Sequence, residues 1–210
     1  MYWKKNKKTF LGKRRWQRSS IILILATLSC CNPDLEPTAQ TKQQKIFKLL
    51  DTKTTGIDFQ NTLSYDREFN VYRYRNYYNG GGVAIGDINN DSLPDLFLIA
   101  NQEKNRLYLN KGNFKFEDIT EKAKVGGTQP WSTGVSMVDI NADGYLDIYV
   151  CNSGDLNGEN NQNELFINQK DGTFNEMARE YNLDDKGFTT HASFFDYDKD
   201  GDCLLYTSQS

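Results

Sequence analysis

Three short stretches place oxygen-bearing side chains at alternate positions. The first is Asp87-Ile88-Asn89-Asn90-Asp91-Ser92-Leu93-Pro94-Asp95, and the second is Asp139-Ile140-Asn141-Ala142-Asp143-Gly144-Tyr145-Leu146-Asp147. The third runs Asp196-Tyr197-Asp198-Lys199-Asp200-Gly201-Asp202 and then departs, with Leu204 where a last aspartate is expected. Carboxylate or amide oxygens thus recur at positions 1, 3, 5 and 9 of each full stretch, and Leu93 and Tyr145 at position 7 would offer backbone carbonyls. Ca²⁺ takes six to eight hard oxygens at about 2.3–2.6 Å, and alternate residues of a tight loop all point toward one centre. Mg²⁺ fits less well, because it demands a rigid octahedron and keeps several waters. Three carboxylates about 4 Å apart repel by about 4 kcal/mol per pair at an effective dielectric near 20, so without a cation such loops are expected to splay.

Glycine at position 6, Gly144 and Gly201, suits a sharp turn, and Ser92 replaces it in the first loop. If that turn is left-handed, the serine costs about 1 kcal/mol. Asp, Asn and Gly are also good turn formers, so a single loop of this kind is equally well a plain turn. Three loops in register favour the metal. An EF-hand fits worse, since its bidentate Glu stands at position 12 between helices.

The loops sit inside a repeat. Asp87 and Asp139 are 52 residues apart, and Asp139 and Asp196 are 57 apart. Val83–Ile85 and Val135–Val138 lead into the first two loops, and Leu96–Ile99 and Leu146–Val150 lead out. A second module follows each: Asn105–Asn110 before a segment with Phe114 and Phe116, and Asn163–Asn168 before one with Phe174. Short Val-, Ile-, Tyr- and Phe-rich runs bounded by Gly, Asn and Asp predict strands. Four strands per unit of about 50 residues is the arithmetic of a propeller blade. The expected class is all-β, with four-stranded antiparallel units amounting to two to three blades over residues 46–202.

The N-terminus reads as an address. Eight basic residues and no acid fall in the first eighteen, followed by the apolar run Ile21–Leu28 and then Ser29-Cys30-Cys31. A basic region, a short apolar core and a small residue describe a secretory signal over residues 1–29. At about 12 Å as a helix, the run is too short to span a bilayer of about 30 Å. The end of the run resembles a bacterial lipobox, which implies acylation. Cys30 fits better than Cys31, although Thr27 stands where a branched aliphatic is usual. A plain cleaved signal is the simpler alternative. Residues 30–45 are polar and read as a tether. Removing the eight leading cations from the 25 Lys and Arg leaves 17 against 28 Asp and Glu. So acidic a domain excludes nucleic acid as a natural partner and suits divalent cations.

The runs NGGGVAIGDINNDSLPDLFL, NRLYLN, KFEDIT, WSTGVSMVDINADGYLDIYV and HASFFDYDKDGD resemble FG-GAP/VCBS repeats, the blades of integrin α-chain propellers and of bacterial surface proteins. They look like the bacterial branch related to cartilage acidic protein (the ASPIC/UnbV-associated group). The resemblance implies a seven-bladed propeller with Ca²⁺ in the hairpin loops between the first two strands of a blade. The ligands it implies are Asp87, Asn89, Asp91, Leu93 and Asp95; Asp139, Asn141, Asp143, Tyr145 and Asp147; and Asp196, Asp198, Asp200 and Asp202. It also implies a non-catalytic binding scaffold, expected to take a protein or glycan ligand, and the lipobox-like N-terminus places that scaffold at the cell surface or outer membrane, lipid-anchored.

The alternative is a propeller-based carbohydrate-active enzyme, which would need paired carboxylates outside the loops. Asp58, Asp66, Glu68, Asp118 and Asp155 are scattered and nothing in the sequence pairs them. His191, the single histidine, takes the place of Gly82 and Gly134 and reads as a structural residue at a strand end. Tyr72-Arg73-Tyr74-Arg75-Asn76-Tyr77-Tyr78 reads as an outer strand with alternating faces, or alternatively as a stacking surface for sugar rings. Residues 203–210 look like a translated sequencing-adaptor end and are set aside as a non-native tail; a divergent last repeat is the alternative. With the signal and tail removed, Cys151 stands alone and no disulfide framework is expected.

Overall fold

The computed structural model describes residues 46–154, 159–201 and 203–209. The expected signal, tether, Cys30, Asp155 and Asp202 lie outside the described residues. Residues 46–48 belong to a first unit and are exposed; from Leu49 onward the chain forms one compact unit.

Among the described residues the strands fall into three antiparallel sheets. The first contains β1 (Val83–Gly86), β2 (Asp95–Leu98), β3 (Arg106–Asn110) and β4 (Phe116–Asp118), side by side in chain order. The second repeats that order with β5 (Ser132–Val138), β6 (Asp147–Asn152), β7 (Glu164–Asn168) and β8 (Phe174–Glu176). The third is a hairpin of β9 (Thr189–Phe195) and β10 (Leu204–Gln209). Two one-turn helices, α1 (Thr52–Thr55) and α2 (Thr120–Ala123), complete the described elements. Among the described residues no helix is long and apolar enough to cross a membrane.

The sheets stack face to face as blades, and strand alternation divides the core into two layers. Ile148, Val150 and Phe166 of the second blade point toward Phe97, Ile99 and Leu107 of the first. Their neighbours Tyr149, Cys151, Leu165 and Ile167 point the other way, against Ala192, Phe194 and Leu205 of the third sheet. A strand covered on both sides needs no polar face, which is why all six residues of β6 are buried. In β2 only alternate residues are fully buried, Asp95 and Phe97. Each large apolar side chain buried in these layers contributes about 1.5–3 kcal/mol.

Close approach between blades explains Gly134. A Cβ there would lie 2.6 Å from the carbonyl oxygen of Thr190 and 3.0 Å from the Cα of His191. Beside it, the hydroxyl of Ser136 donates to the carbonyl of Ala192 at 2.6 Å, stitching β5 to β9. His191 is exposed and lies inside β9 rather than at its end, a correction to the sequence reading.

Two further expectations are corrected. Residues 72–78 form turns, not a strand. Asp66 accepts from the backbone N–H of Glu68 and Phe69, and Asn70 from that of Tyr72, so local side-chain bonds compete with a ladder and win. Tyr74 and Tyr77 turn inward onto Phe69 and Trp131, with ring centroids 4.9–5.6 Å apart, so two of the tyrosines expected on a surface build a satellite core. Phe114 lies not in the fourth strand but in the turn before it, at φ +58° and exposed.

The thiol of Cys151 is free and its pKa is pushed up to about 12 by burial. Glu164, at the start of β7, is buried. Its Oε1 accepts from the backbone N–H and the hydroxyl of Thr128, both at 2.8 Å, and its Oε2 accepts from Asn152 at 3.4 Å. Burial raises its pKa above the ordinary 4.5, against the lowering effect of those donors. A carboxyl raised in the folded state contributes stability fully below the unfolded value and loses it as pH rises through the folded value. In denaturant titrations from about pH 4 to pH 7, Glu164→Gln is therefore expected to show a flatter pH dependence than the parent. Parallel curves would show that Glu164 ionises without cost to the fold.

Candidate metal centres

Each acidic loop joins the first strand of a sheet to the second, and the strand register makes the three equivalent. Gly86 pairs with Asp95, Val138 with Asp147, and Phe195 with Leu204, so each hairpin encloses a loop of the same length. Leu204 therefore occupies the position of the two buried aspartates, yet it is exposed.

The first position organises the loop. Asp87 accepts from the N–H of Asp91 at 3.1 Å and of Ser92 at 2.7 Å; Asp139 accepts from Asp143 at 2.9 Å and Gly144 at 2.8 Å. The amide oxygens of Asn89 and Asn141 accept from the N–H of Asp91 and Asp143, and those aspartates in turn accept from Leu93 and Tyr145. Such bonds wind the chain around the side-chain oxygens. The winding requires left-handed residues at position 6, and Ser92, Gly144 and Gly201 have φ of +68°, +86° and +93°. Position 4 is left-handed as well, at Asn90, Ala142 and Lys199, with φ of +58°, +55° and +63°. The sequence reading missed that second demand; Asn90 alone, a residue type tolerant of this region, hinted at it.

The last aspartates have a double role. Asp95 Oδ2 accepts from Ile88 N–H at 3.0 Å, and its Oδ1 accepts from Asn110 N–H at 2.8 Å. Asp147 does the same with Ile140 at 3.1 Å and Asn168 at 2.8 Å. Both clamp the loop to the third strand, and each oxygen keeps a further lone pair. Burial raises the pKa of both, their N–H donors lower it, and the nearby carboxylates of the same loop raise it again.

The donor set fits a hard dication. In the third loop, ligand oxygens of Asp196, Asp198 and Asp200 lie within 4.8 Å of one another. Two oxygens bound to one Ca²⁺ lie at most about 5 Å apart, given metal–oxygen distances of about 2.3–2.6 Å. In the second loop the ammonium of Lys170 stands 3.4 Å from Asp143 Oδ2 and 5.4 Å from the Tyr145 ring centroid, so that site already draws a cation.

Among the described residues, four of the carboxylates weighed for catalysis have structural partners. Asp58 accepts from the Tyr108 hydroxyl, Asp66 from its turn, Glu68 pairs with Arg73, and Asp118 binds Arg106 and Thr120.

Comparison with known proteins agrees with this geometry. Residues 87–150, from the first loop into β6, match the FG-GAP-like repeat. The chain is 38% identical over 74 residues to cartilage acidic protein 1 of Xenopus tropicalis, covering 35% of this chain and 11% of that one. It is 36% and 35% identical over 72 residues to the proteins of that name from Mus musculus and Homo sapiens, each match covering 34% of this chain and 11% of the relative. The chain thus spans about a tenth of the length of these relatives. Loop geometry, blade architecture and sequence similarity converge on one stretch: residues 87–150 match the FG-GAP-like repeat, and the chain is similar over about a third of its length to the cartilage acidic proteins.

Proposed function

We propose that this protein is a calcium-loaded propeller scaffold, non-catalytic, held at the bacterial cell surface or outer membrane by a lipid on Cys30. The observation that carries the calcium reading is the repeated loop: three hairpins with matching length and handedness, the third of which brings oxygens of Asp196, Asp198 and Asp200 within 4.8 Å of one another. Calcium would be held by Asp87, Asn89, Asp91 and Asp95, by Asp139, Asn141, Asp143 and Asp147, and by Asp196, Asp198, Asp200 and Asp202, with carbonyls of Leu93 and Tyr145. Bound ions would cancel the repulsion among the carboxylates and stiffen the hairpins that join the inner strands. The FG-GAP-like match and the structural partners of the scattered carboxylates support a binding role over a catalytic one. The expected partner is a protein or glycan, and a ring of seven blades is the expected full assembly. The basic, apolar and cysteine-bearing N-terminus supports export and anchoring.

A ligand at a hundred times its Kd stabilises by about 2.7 kcal/mol. Millimolar calcium is therefore expected to raise the melting temperature above that in chelator by at least about 5 °C. Asp139→Asn with Asp143→Asn is expected to remove part of that shift, and identical melting with and without calcium would refute the loop assignment. Metabolic labelling with a radiolabelled fatty acid is expected to mark the full chain and to be lost in Cys30→Ser; retained label would place the anchor elsewhere.

A further inference from the structure

We propose that the first and second loops are a coupled pair, each shaped partly by the neighbouring blade, so that calcium entering one raises the affinity of the other; this rests on the calcium reading above. Two independent hydrogen-bonded routes carry it.

The first runs through Asn168, the buried last residue of β7. Its backbone N–H donates to Asp147 Oδ1 at 2.8 Å and its side chain donates to the carbonyl of Leu146 at 3.1 Å, both in the second loop. The same amide group also donates to the carbonyl of Ile88 at 2.8 Å, in the first loop of the neighbouring blade. Ile88 in turn donates its N–H to Asp95 Oδ2 at 3.0 Å. Asp95 and Asp147 are thereby joined through two residues.

Asn110 is the counterpart of Asn168 in the first blade. It makes the two bonds to its own loop, to Asp95 Oδ1 and to the carbonyl of Pro94, both at 2.8 Å. The cross-blade bond is what Asn168 adds, and it makes Asn168 a positioning residue for a site in another sheet.

The second route runs along the surface. Asn90 Nδ2 donates to the carbonyl of Gly144 at 2.9 Å, and the Gly144 N–H donates to Asp139 Oδ2 at 2.8 Å. The tip of the first loop is tied to the residue that holds the leading aspartate of the second.

Opening either loop disturbs the other through these ties. An ion that orders one loop removes part of the ordering cost of filling its neighbour, and the coupling is reciprocal. Couplings of this kind amount to about fivefold or more in affinity.

Calcium isotherms on the chain, in a background where Asp196→Asn and Asp198→Asn silence the third loop, test this. The expected parent isotherm binds two ions with a Hill coefficient above 1. Asn90→Ala is the informative variant, because Ala142 already holds the same left-handed backbone at the equivalent position. It is expected to bind two ions still, with a Hill coefficient below the parent's because the route through Asn168 remains. Asn168→Ala, whose folding is checked by circular dichroism, is expected to behave likewise. Asn90→Ala combined with Asn168→Ala is expected to bring the coefficient to 1 and make the weaker site about fivefold weaker. Two ions bound with a Hill coefficient of 1 in the parent, or an isotherm of the Asn90→Ala, Asn168→Ala double variant superimposable on a cooperative parent one, would overturn the coupling and leave the calcium reading standing. A parent that binds no calcium would overturn both.

Discussion

Carboxylates gathered at the tip of a β-hairpin repel one another, and the structure of this protein is arranged around that repulsion. Asp87 and Asp139 hold their loops by accepting backbone N–H donors at positions 5 and 6, which draws further oxygens inward instead of letting them fan into solvent. That winding demands left-handed backbone at two positions of each loop, and the chain accepts Ser92, Ala142 and Lys199 there although glycine is easier. Non-glycine residues in this region cost about 1 kcal/mol or more each. An arrangement that costs free energy locally and concentrates negative charge is the basis of the proposal that these loops receive a cation.

The blades supply the frame. Their strand pairing fixes where each loop begins and ends, and their alternating side chains let one sheet pack against two neighbours at once. The second blade shows this most fully: Ile148 and Val150 face one layer while Tyr149 and Cys151 face the other. The buried aspartates at position 9 lie where the two themes meet. They belong to the loop by charge and to the sheet by hydrogen bonds, since each clamps the third strand through Asn110 or Asn168. A disturbance of the loop therefore reaches the core within one side chain.

Much of this was legible in the residues. The aspartate spacing located the loops, and the Asn-bounded modules located β3 and β7, because both patterns reflect local backbone demands. What escaped was long-range. Nothing in the period of residues 72–78 tells that Tyr74 and Tyr77 turn inward onto Trp131, since that contact depends on turns set by Asp66 and Asn70. The cross-blade bonds of Asn90 and Asn168 were invisible for the same reason. An asparagine bounding a strand looks alike whether it serves one loop or two. Glu164 was also overlooked, because its burial follows from the approach of Thr128, 36 residues away in sequence.

The central claim is that the converging oxygens enclose calcium. Crystals grown with calcium, measured at a wavelength where calcium scatters anomalously, address it most directly. The account predicts anomalous peaks between Asp87 and Asp91 and between Asp139 and Asp143, with oxygen contacts of about 2.3–2.6 Å. Well-ordered loops with no peak at those points, or with water at hydrogen-bonding distances in its place, would contradict it.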